Sequence, residues 1–240
     1  MNNNYSNTII GSGFIAKNFD KHAEFFKKQG ICLYAAGVSN SLCRDKNLLE
    51  IDKKRIFDFR NQIDNKKILL YLSTCSIQDP SRNQNPYVIN KLEIENFIKK
   101  NFRNFFIVRL PEVVGKNSNS NTLINFFFNK IKNNETFELW DQASRNLIDI
   151  SDVKKILIDL LKNKKYLNST INIAHPKNCT AVYIVKTIEE ITQRKARYNL
   201  VNKGETNWKI DISAIIDSIK NCDIKFDELY LKNILKKYFT

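Results

Sequence analysis

Histidine is nearly missing from this chain: only His22 and His175 occur in 240 residues, and no metal-ligand spacing surrounds either. A metal centre is therefore not expected. The five cysteines, Cys32, Cys43, Cys75, Cys179 and Cys222, are odd in number and form no Cys-x-x-Cys pair. That pattern gives neither a disulfide framework nor a zinc signature, so free thiols are expected. No apolar run approaches the roughly 18 residues that a membrane helix needs. The opening residues, Met1-Asn-Asn-Asn-Tyr-Ser-Asn-Thr8, lack the basic and then apolar order of a secretory leader. The expectation is a cytoplasmic protein without membrane insertion.

Acidic residues are also scarce: 25 Asp and Glu face 39 Lys and Arg, a formal charge of +14. Such an excess can serve nucleic acid, an anionic membrane or an anionic substrate. Its distribution argues against the first two. Lysine pairs recur along the chain, at Lys27-Lys28, Lys66-Lys67, Lys99-Lys100, Lys154-Lys155 and Lys236-Lys237, beside helical apolar patterns. They read as solvated helix faces, so no nucleic-acid partner is expected, while a diphosphate-bearing ligand suits the charge. With 42% hydrophobic and 27% charged residues the composition is that of a globular protein. The length suits one core with a small appended lobe rather than two independent domains.

The most informative stretch runs from Lys67 to Lys100. Ile68-Leu-Leu-Tyr-Leu72 is a continuous apolar run followed by Ser73-Thr-Cys-Ser76, the pattern of a strand buried on both faces of a parallel sheet. Ligands of such sheets gather at the carboxyl ends of the strands, where Ser73, Thr74 and Ser76 fall. A helix is then predicted, capped by Asn85, with Pro86 in its first turn and Leu92, Ile94, Phe97 and Ile98 as its apolar side. Tyr87 and Lys91, four apart, share a face of it. An ammonium so placed favours phenolate and lowers a pKa that is about 10 when unperturbed, which fits the pair for proton chemistry.

Upstream, Asn7-Thr-Ile-Ile10 leads into Gly11-Ser-Gly-Phe-Ile-Ala16 and then into apolar residues at helical spacing, which reads as strand, glycine turn and helix. Gly30 to Ser41 reads as a second buried strand ending in small and polar residues, with no acid at its end. Between Gly11 and Ala36 there is room for one helix only. Asn47 to Ile63 reads as a helix, and Asn104 to Leu110 as a further buried strand with Pro111 to Gly115 as its exit loop. The polar stretch Asn117 to Thr122 is expected to be a substrate-facing loop. Asp152 is expected to cap the helix that carries Val153, Ile156, Leu157, Leu160 and Leu161, and the tail from 207 to 240 to form a small helical lobe.

Ser-Thr-Cys-Ser-Ile followed by Pro-Tyr-x-x-x-Lys resembles the active-site segment of the short-chain dehydrogenase/reductase superfamily, in its extended, NAD-dependent epimerase/dehydratase-like branch acting on nucleotide sugars. Arg145-Asn-Leu-Ile-Asp-Ile-Ser-Asp-Val153 is similar to a second motif of that branch, with Asn146 where Asp is usual. The resemblance implies an α/β fold, a Rossmann-like, mostly parallel sheet flanked by helices, with a small C-terminal substrate-binding lobe. It implies a dinucleotide-binding part over residues 1–115 and about 147–175, and a substrate lobe over 116–146 and 176–240. Thr74 then matches the residue that hydrogen-bonds the reacting oxygen, Tyr87 the acid/base, and Lys91 the residue that binds the nicotinamide ribose and tunes the tyrosine. The resemblance assigns NAD or NADP to Gly11, Gly13, Phe14, Ile15, Ala36, Gly37, Lys91 and Pro111, and the nucleotide sugar to Glu112 and Arg145. A homodimer is an allowed assembly. Tyr34-Ala-Ala-Gly-Val-Ser39 resembles the family's fourth strand, so the usual second and third strands are expected to be deleted or shortened. The choice between NAD and NADP stays open with them.

Dehydratases of this branch carry an Asp-Glu pair after the catalytic Ser/Thr, whereas Cys75 and Ser76 follow Thr74 here. Dehydration is thus disfavoured. Reductase and epimerase share the Thr, Tyr, Lys set; a weak grip on adenosine favours a reductase of a nucleotide-linked keto-deoxysugar, of the kind that serves surface polysaccharide synthesis. An epimerase that retains NAD is one alternative. A non-catalytic cofactor-sensing or scaffold protein on the same fold is another.

Overall fold

The computed structural model describes residues 8–116, 119, 122–163, 166–204 and 208–239. Strand β1 (Ile9–Ile10) is followed by α1 (Phe14–Phe19), a 3-10 turn and α2 (Ala23–Lys28), then β2 (Ile31–Tyr34) and α3 (Lys46–Arg60). Next come β3 (Ile68–Thr74), α4 (Pro86–Asn101), β4 (Phe105–Leu110), β5 (Glu112–Val114) and α5 (Leu123–Lys132). The remainder comprises β6 (Thr136–Trp140), β7 (Ser144–Arg145), β8 (Leu147–Asp149), α6 (Ile150–Asn163), β9 (Ser169–Asn172) and β10 (Cys179–Thr180). The chain closes with α7 (Ala181–Thr192), β11 (Arg197–Val201), α8 (Ile216–Asn221) and α9 (Tyr230–Phe239). Most of the stretch 117–122 and residues 207 and 240 of the tail lie outside the described residues.

The chain divides into two compact units, one of residues 1–110 and 157–173, the other of 111–156 and 174–240. The first is built on a five-stranded sheet in the order β1-β2-β3-β4-β9, with every neighbouring pair parallel. Strand β3 lies at its centre, Leu70 facing Leu33 on one side and Phe106 on the other. Its near-continuous apolar run is what a strand covered on both faces requires. Ile56 and Phe59 of α3 and Ile94 and Ile98 of α4 pack with Leu69, Tyr71 and Ile107 of the sheet. Leu92, expected on that apolar side, is exposed instead. Strand β1 stands at the sheet edge, and among the described residues no strand lies outside it.

Helix α3 starts at Asp45, whose Oδ1 accepts from the amides of Asn47 and Leu48. Helix α4 starts as its sequence dictates: Asn85 Oδ1 accepts from Tyr87 N at 2.9 Å and Pro86 occupies the first turn.

The second unit holds three two-stranded sheets: parallel β5–β8, antiparallel β7–β10 and parallel β6–β11. Its core joins Phe127, Phe137, Leu139, Ile184, Ile188, Leu231 and Leu235. The segment expected as an exit loop is strand β5, because the Glu112 amide donates to Asn146 O and registers Val113 with Ile148. Asp149, rather than Asp152, satisfies the start of α6, its Oδ1 accepting from Ser151 N at 2.8 Å. Asp152 instead accepts from the Tyr230 hydroxyl. Among the described residues no helix is long and apolar enough to cross a membrane.

Candidate functional site

In the first unit, β3 ends at Thr74 and a 3-10 turn over Cys75–Gln78 follows. Thr74 Oγ1 accepts from Ser76 N at 3.1 Å, which fixes the hydroxyl at the strand end. Tyr87 stands in the first turn of α4, and the Thr74 hydroxyl is among the groups that bear on its ionisation. Lys91, one turn further, places Nζ 5.7 Å from the Tyr87 ring centroid. The three residues that the sequence singled out are brought together, and all are buried. The Tyr87 ring packs among Cys43, Leu49 and Val88.

The electrostatics differ from the expectation of a phenol lowered by lysine. Burial raises the pKa of Tyr87 above its ordinary value and is the largest influence; Lys91 and the Thr74 hydroxyl pull it down, and Asp52 pushes it up again. Desolvation outweighs the cation because a buried phenolate must surrender its hydration. At neutral pH Tyr87 is therefore a phenol, a group able to give a proton.

Lys91 has a partner that sequence reasoning missed. Its Nζ donates to Asp52 Oδ2 at 3.0 Å and to the Tyr71 hydroxyl at 3.3 Å, and Asn90 Nδ2 donates to the same carboxylate at 3.2 Å. A signal was available: Asp52 falls in the apolar stripe of α3 with Leu49, Ile56 and Phe59, the buried residues of that helix. A carboxylate in such a stripe calls for a cation across the packing surface.

Of the residues assigned to a dinucleotide, Gly11 has a φ of +127°, and a Cβ there would run into the Ala35 carbonyl. Its lack of a side chain is required by the fold itself. Gly13, the N-cap of α1, has φ −77° and open space where a Cβ would stand. Phe14 and Ile15 begin α1 and are half-buried, as are Ala36 and Gly37 beyond β2. A Cβ on Gly37 would strike Lys91 Nζ and come within 3.2 Å of Asp52 Oδ1, so this glycine makes room for the ion pair. For a nicotinamide dinucleotide the fit is uneven. Near Lys91 there are a phenol, a hydroxyl and the buried acceptor Asn90 Oδ1, which has no hydrogen-bond partner. At the adenosine end, β2 carries no acid and β1 is an edge.

Pro111, Glu112 and Arg145 belong to the second unit. Glu112 Oε1 accepts from Leu123 N at 2.8 Å, doing for α5 what Thr122 does not. Arg145 lies in β7, half-buried, with Nη1 donating to Ser144 O. Asn146, at the position where the resembled motif has Asp, donates to His175 O at 2.8 Å and accepts from His175 N at 3.0 Å. A carboxylate, which has no donor, could not do both. Among the described residues no group of three or more His, Cys, Asp and Glu could hold a metal ion.

No protein-family model matches the sequence, and no curated protein matches it significantly. Solved structures do match. RMD from Pseudomonas aeruginosa, complexed with NADPH, is 15% identical, with a TM-score of 0.67 over 86% of this chain and 79% of that one. UDP-glucuronic acid 4-epimerase from Bacillus cereus, in complex with UDP-glucuronic acid and NAD, is 17% identical, with a TM-score of 0.67 over 89% and 75%. The Bordetella bronchiseptica enzyme WbmG, in complex with NAD and UDP, is 14% identical, with a TM-score of 0.66 over 94% and 77%. At such identities the likeness is one of fold, and the fold is Rossmann-like.

Proposed function

On the fold that it shares with the extended short-chain dehydrogenase/reductase enzymes, we propose that this chain is an NAD(P)-dependent oxidoreductase that reduces a ketone on a nucleotide-linked deoxysugar. The observation that carries the reading is the constellation at the end of β3: a strand-end hydroxyl, Thr74, which bears on the ionisation of a buried phenol, Tyr87, with the ammonium of Lys91 one helical turn on. The dinucleotide, when bound, supplies a hydride to the carbonyl carbon. Tyr87 gives its proton to the carbonyl oxygen, so the ketone leaves as an alcohol. Thr74 orients that oxygen, and Lys91 restores balance beside the phenolate left behind.

Gly11, Gly13, Phe14, Ile15, Ala36, Gly37 and Lys91 are the residues assigned to the dinucleotide in the first unit. In the second unit, recognition of the nucleotide diphosphate is assigned to Arg145, whose planar fork suits phosphate oxygens. Glu112 is assigned a polar contact to the sugar. The phenol state of Tyr87 supports reduction over epimerisation, because an epimerase must begin by removing a proton from an alcohol. The UDP and UDP-sugar in the matched structures make uridine-linked sugars the first to test.

The test is incubation with a panel of nucleotide-linked 4-keto sugars while NADH or NADPH absorbance is followed. Stoichiometric loss of absorbance with formation of the alcohol is expected. A changed sugar configuration with no net loss of reduced dinucleotide indicates the epimerase instead, and dinucleotide binding without any turnover indicates a sensor.

A further inference from the structure

Asp52 is 2% exposed, on the apolar face of α3. Its Oδ2 receives both Lys91 Nζ and Asn90 Nδ2. Lys91 has three ammonium protons; one is directed to Asp52 and one to Tyr71. The same Nζ sits 5.7 Å from the Tyr87 ring and 5.7 Å from the Tyr71 ring. Gly37 leaves the space that this arrangement fills. The ion pair therefore lies beside the reacting phenol, and not merely between two helices.

We propose that Asp52 is a positioning residue for the reaction proposed above: by pairing the charge of Lys91 and fixing its Nζ, it makes Tyr87 enter turnover as a proton donor rather than as a phenolate base. This rests on the reading of Tyr87 as the acid. The groups that bear on Tyr87 come from every element around it. Lys91 on α4, the Thr74 hydroxyl on β3 and Arg82 in the preceding turn favour phenolate, while burial and Asp52 on α3 oppose it. Tyr71 on β3 stays a phenol, because burial, Asp52, Tyr87 and Glu95 all push its pKa up. Of the groups facing Tyr87, Asp52 is the anion that offsets the cations; without it, Lys91 would draw the phenol toward ionisation.

The experiment is a pH titration of unliganded protein labelled with 13C at the tyrosine Cζ, the Tyr87 signal being assigned by its loss in Tyr87→Phe. In the wild type, Tyr87 is expected to remain a phenol to at least about pH 10, the ordinary tyrosine value. Titration below about pH 9 would overturn the proposal without recourse to any Asp52 variant. In Asp52→Asn the midpoint is expected to fall by about one pH unit, tenfold in ionisation constant, with Asp52→Glu returning it toward the wild type. An unchanged or raised midpoint in folded Asp52→Asn would also overturn it. No substrate enters this titration, so the two readings fail separately. Absence of turnover with the expected shift removes the reductase, whereas turnover with an unmoved Tyr87 removes the role of Asp52.

Discussion

Glu95 holds Arg109 by both carboxylate oxygens, Nε to Oε1 at 2.9 Å and Nη2 to Oε2 at 2.7 Å, while Ser73 Oγ donates to the same Oε1 at 2.7 Å. The helix that carries Tyr87 and Lys91 is thereby tied to β4 and to the end of the strand that carries Thr74. Glu95 has no exposed surface. Glu95→Ala leaves Arg109 and Ser73 without their acceptor and is expected to cost about 3–5 kcal/mol. Glu95→Leu combined with Arg109→Met removes both charges and is expected to cost much less. Urea unfolding of the two variants checks this, and equal losses would refute it.

Gly11 and Gly13 separate a folding requirement from a binding one. Gly11→Ala sets a side chain against the Ala35 carbonyl at a φ of +127°, so a large loss of stability is expected. Gly13→Ala meets nothing at a φ of −77°, and the entropy it saves in the unfolded chain is offset by alanine's poor N-cap preference, so stability is expected to stay within about 1 kcal/mol. If a dinucleotide approaches this turn, Gly13→Ala weakens its binding all the same. Thermal melts and NADH titrations on one preparation decide; unchanged affinity would remove Gly13 from the site.

Asn146→Asp converts this position to the residue usual in the resembled motif and should not be benign here. A carboxylate cannot donate to His175 O, so about 1–3 kcal/mol is expected to be lost at neutral pH. Against that carbonyl the folded carboxyl would have a raised pKa. Native protein then binds more protons than unfolded, and the loss shrinks as pH falls toward the unfolded value of about 3.9. Unfolding midpoints of the variant and wild type at a series of pH values check the sign; a gap that widens in acid would contradict it.

His175 gives a pH dependence to the native chain. Burial lowers its pKa from the ordinary value, outweighing the Lys177 backbone hydrogen bond. A lowered histidine favours the neutral form in the fold, so its contribution is complete above about pH 6.5 and is lost as pH falls from there through the folded pKa. His175→Gln should flatten that part of the stability profile. A wild-type profile that rises on acidification through this range would speak against it.

Much of the site was legible because its signals are local. The Asn85-Pro86 start of α4, the apolar run of β3 and the four-residue step from Tyr87 to Lys91 each need only neighbouring residues. Asp52 was not legible as the partner of Lys91, since the two are 39 positions apart and meet only once α3 and α4 pack together. The phenol's electrostatics were misjudged for a related reason, because burial is a tertiary quantity. Asp149 and Asp152 compete in sequence for one capping role, and only Tyr230, 78 residues further on, explains why Asp152 is otherwise engaged. Strand β11 escaped notice although Arg197-Tyr-Asn-Leu-Val201 alternates polar and apolar residues; it is short and largely exposed along its length. The edge position of β1 among the described residues agrees with the short spacing from Gly11 to Ala36, which is read from the sequence directly.

The central claim is that Tyr87 donates the proton in a hydride transfer to a nucleotide-linked ketone. It is tested most directly by comparing wild type and Tyr87→Phe on the 4-keto sugar that the wild type reduces, with dinucleotide affinity measured on the same preparations. Turnover is expected to fall by at least about 10²–10⁴-fold while the affinity for NAD(P)H stays nearly unchanged. Turnover retained in Tyr87→Phe would contradict the account.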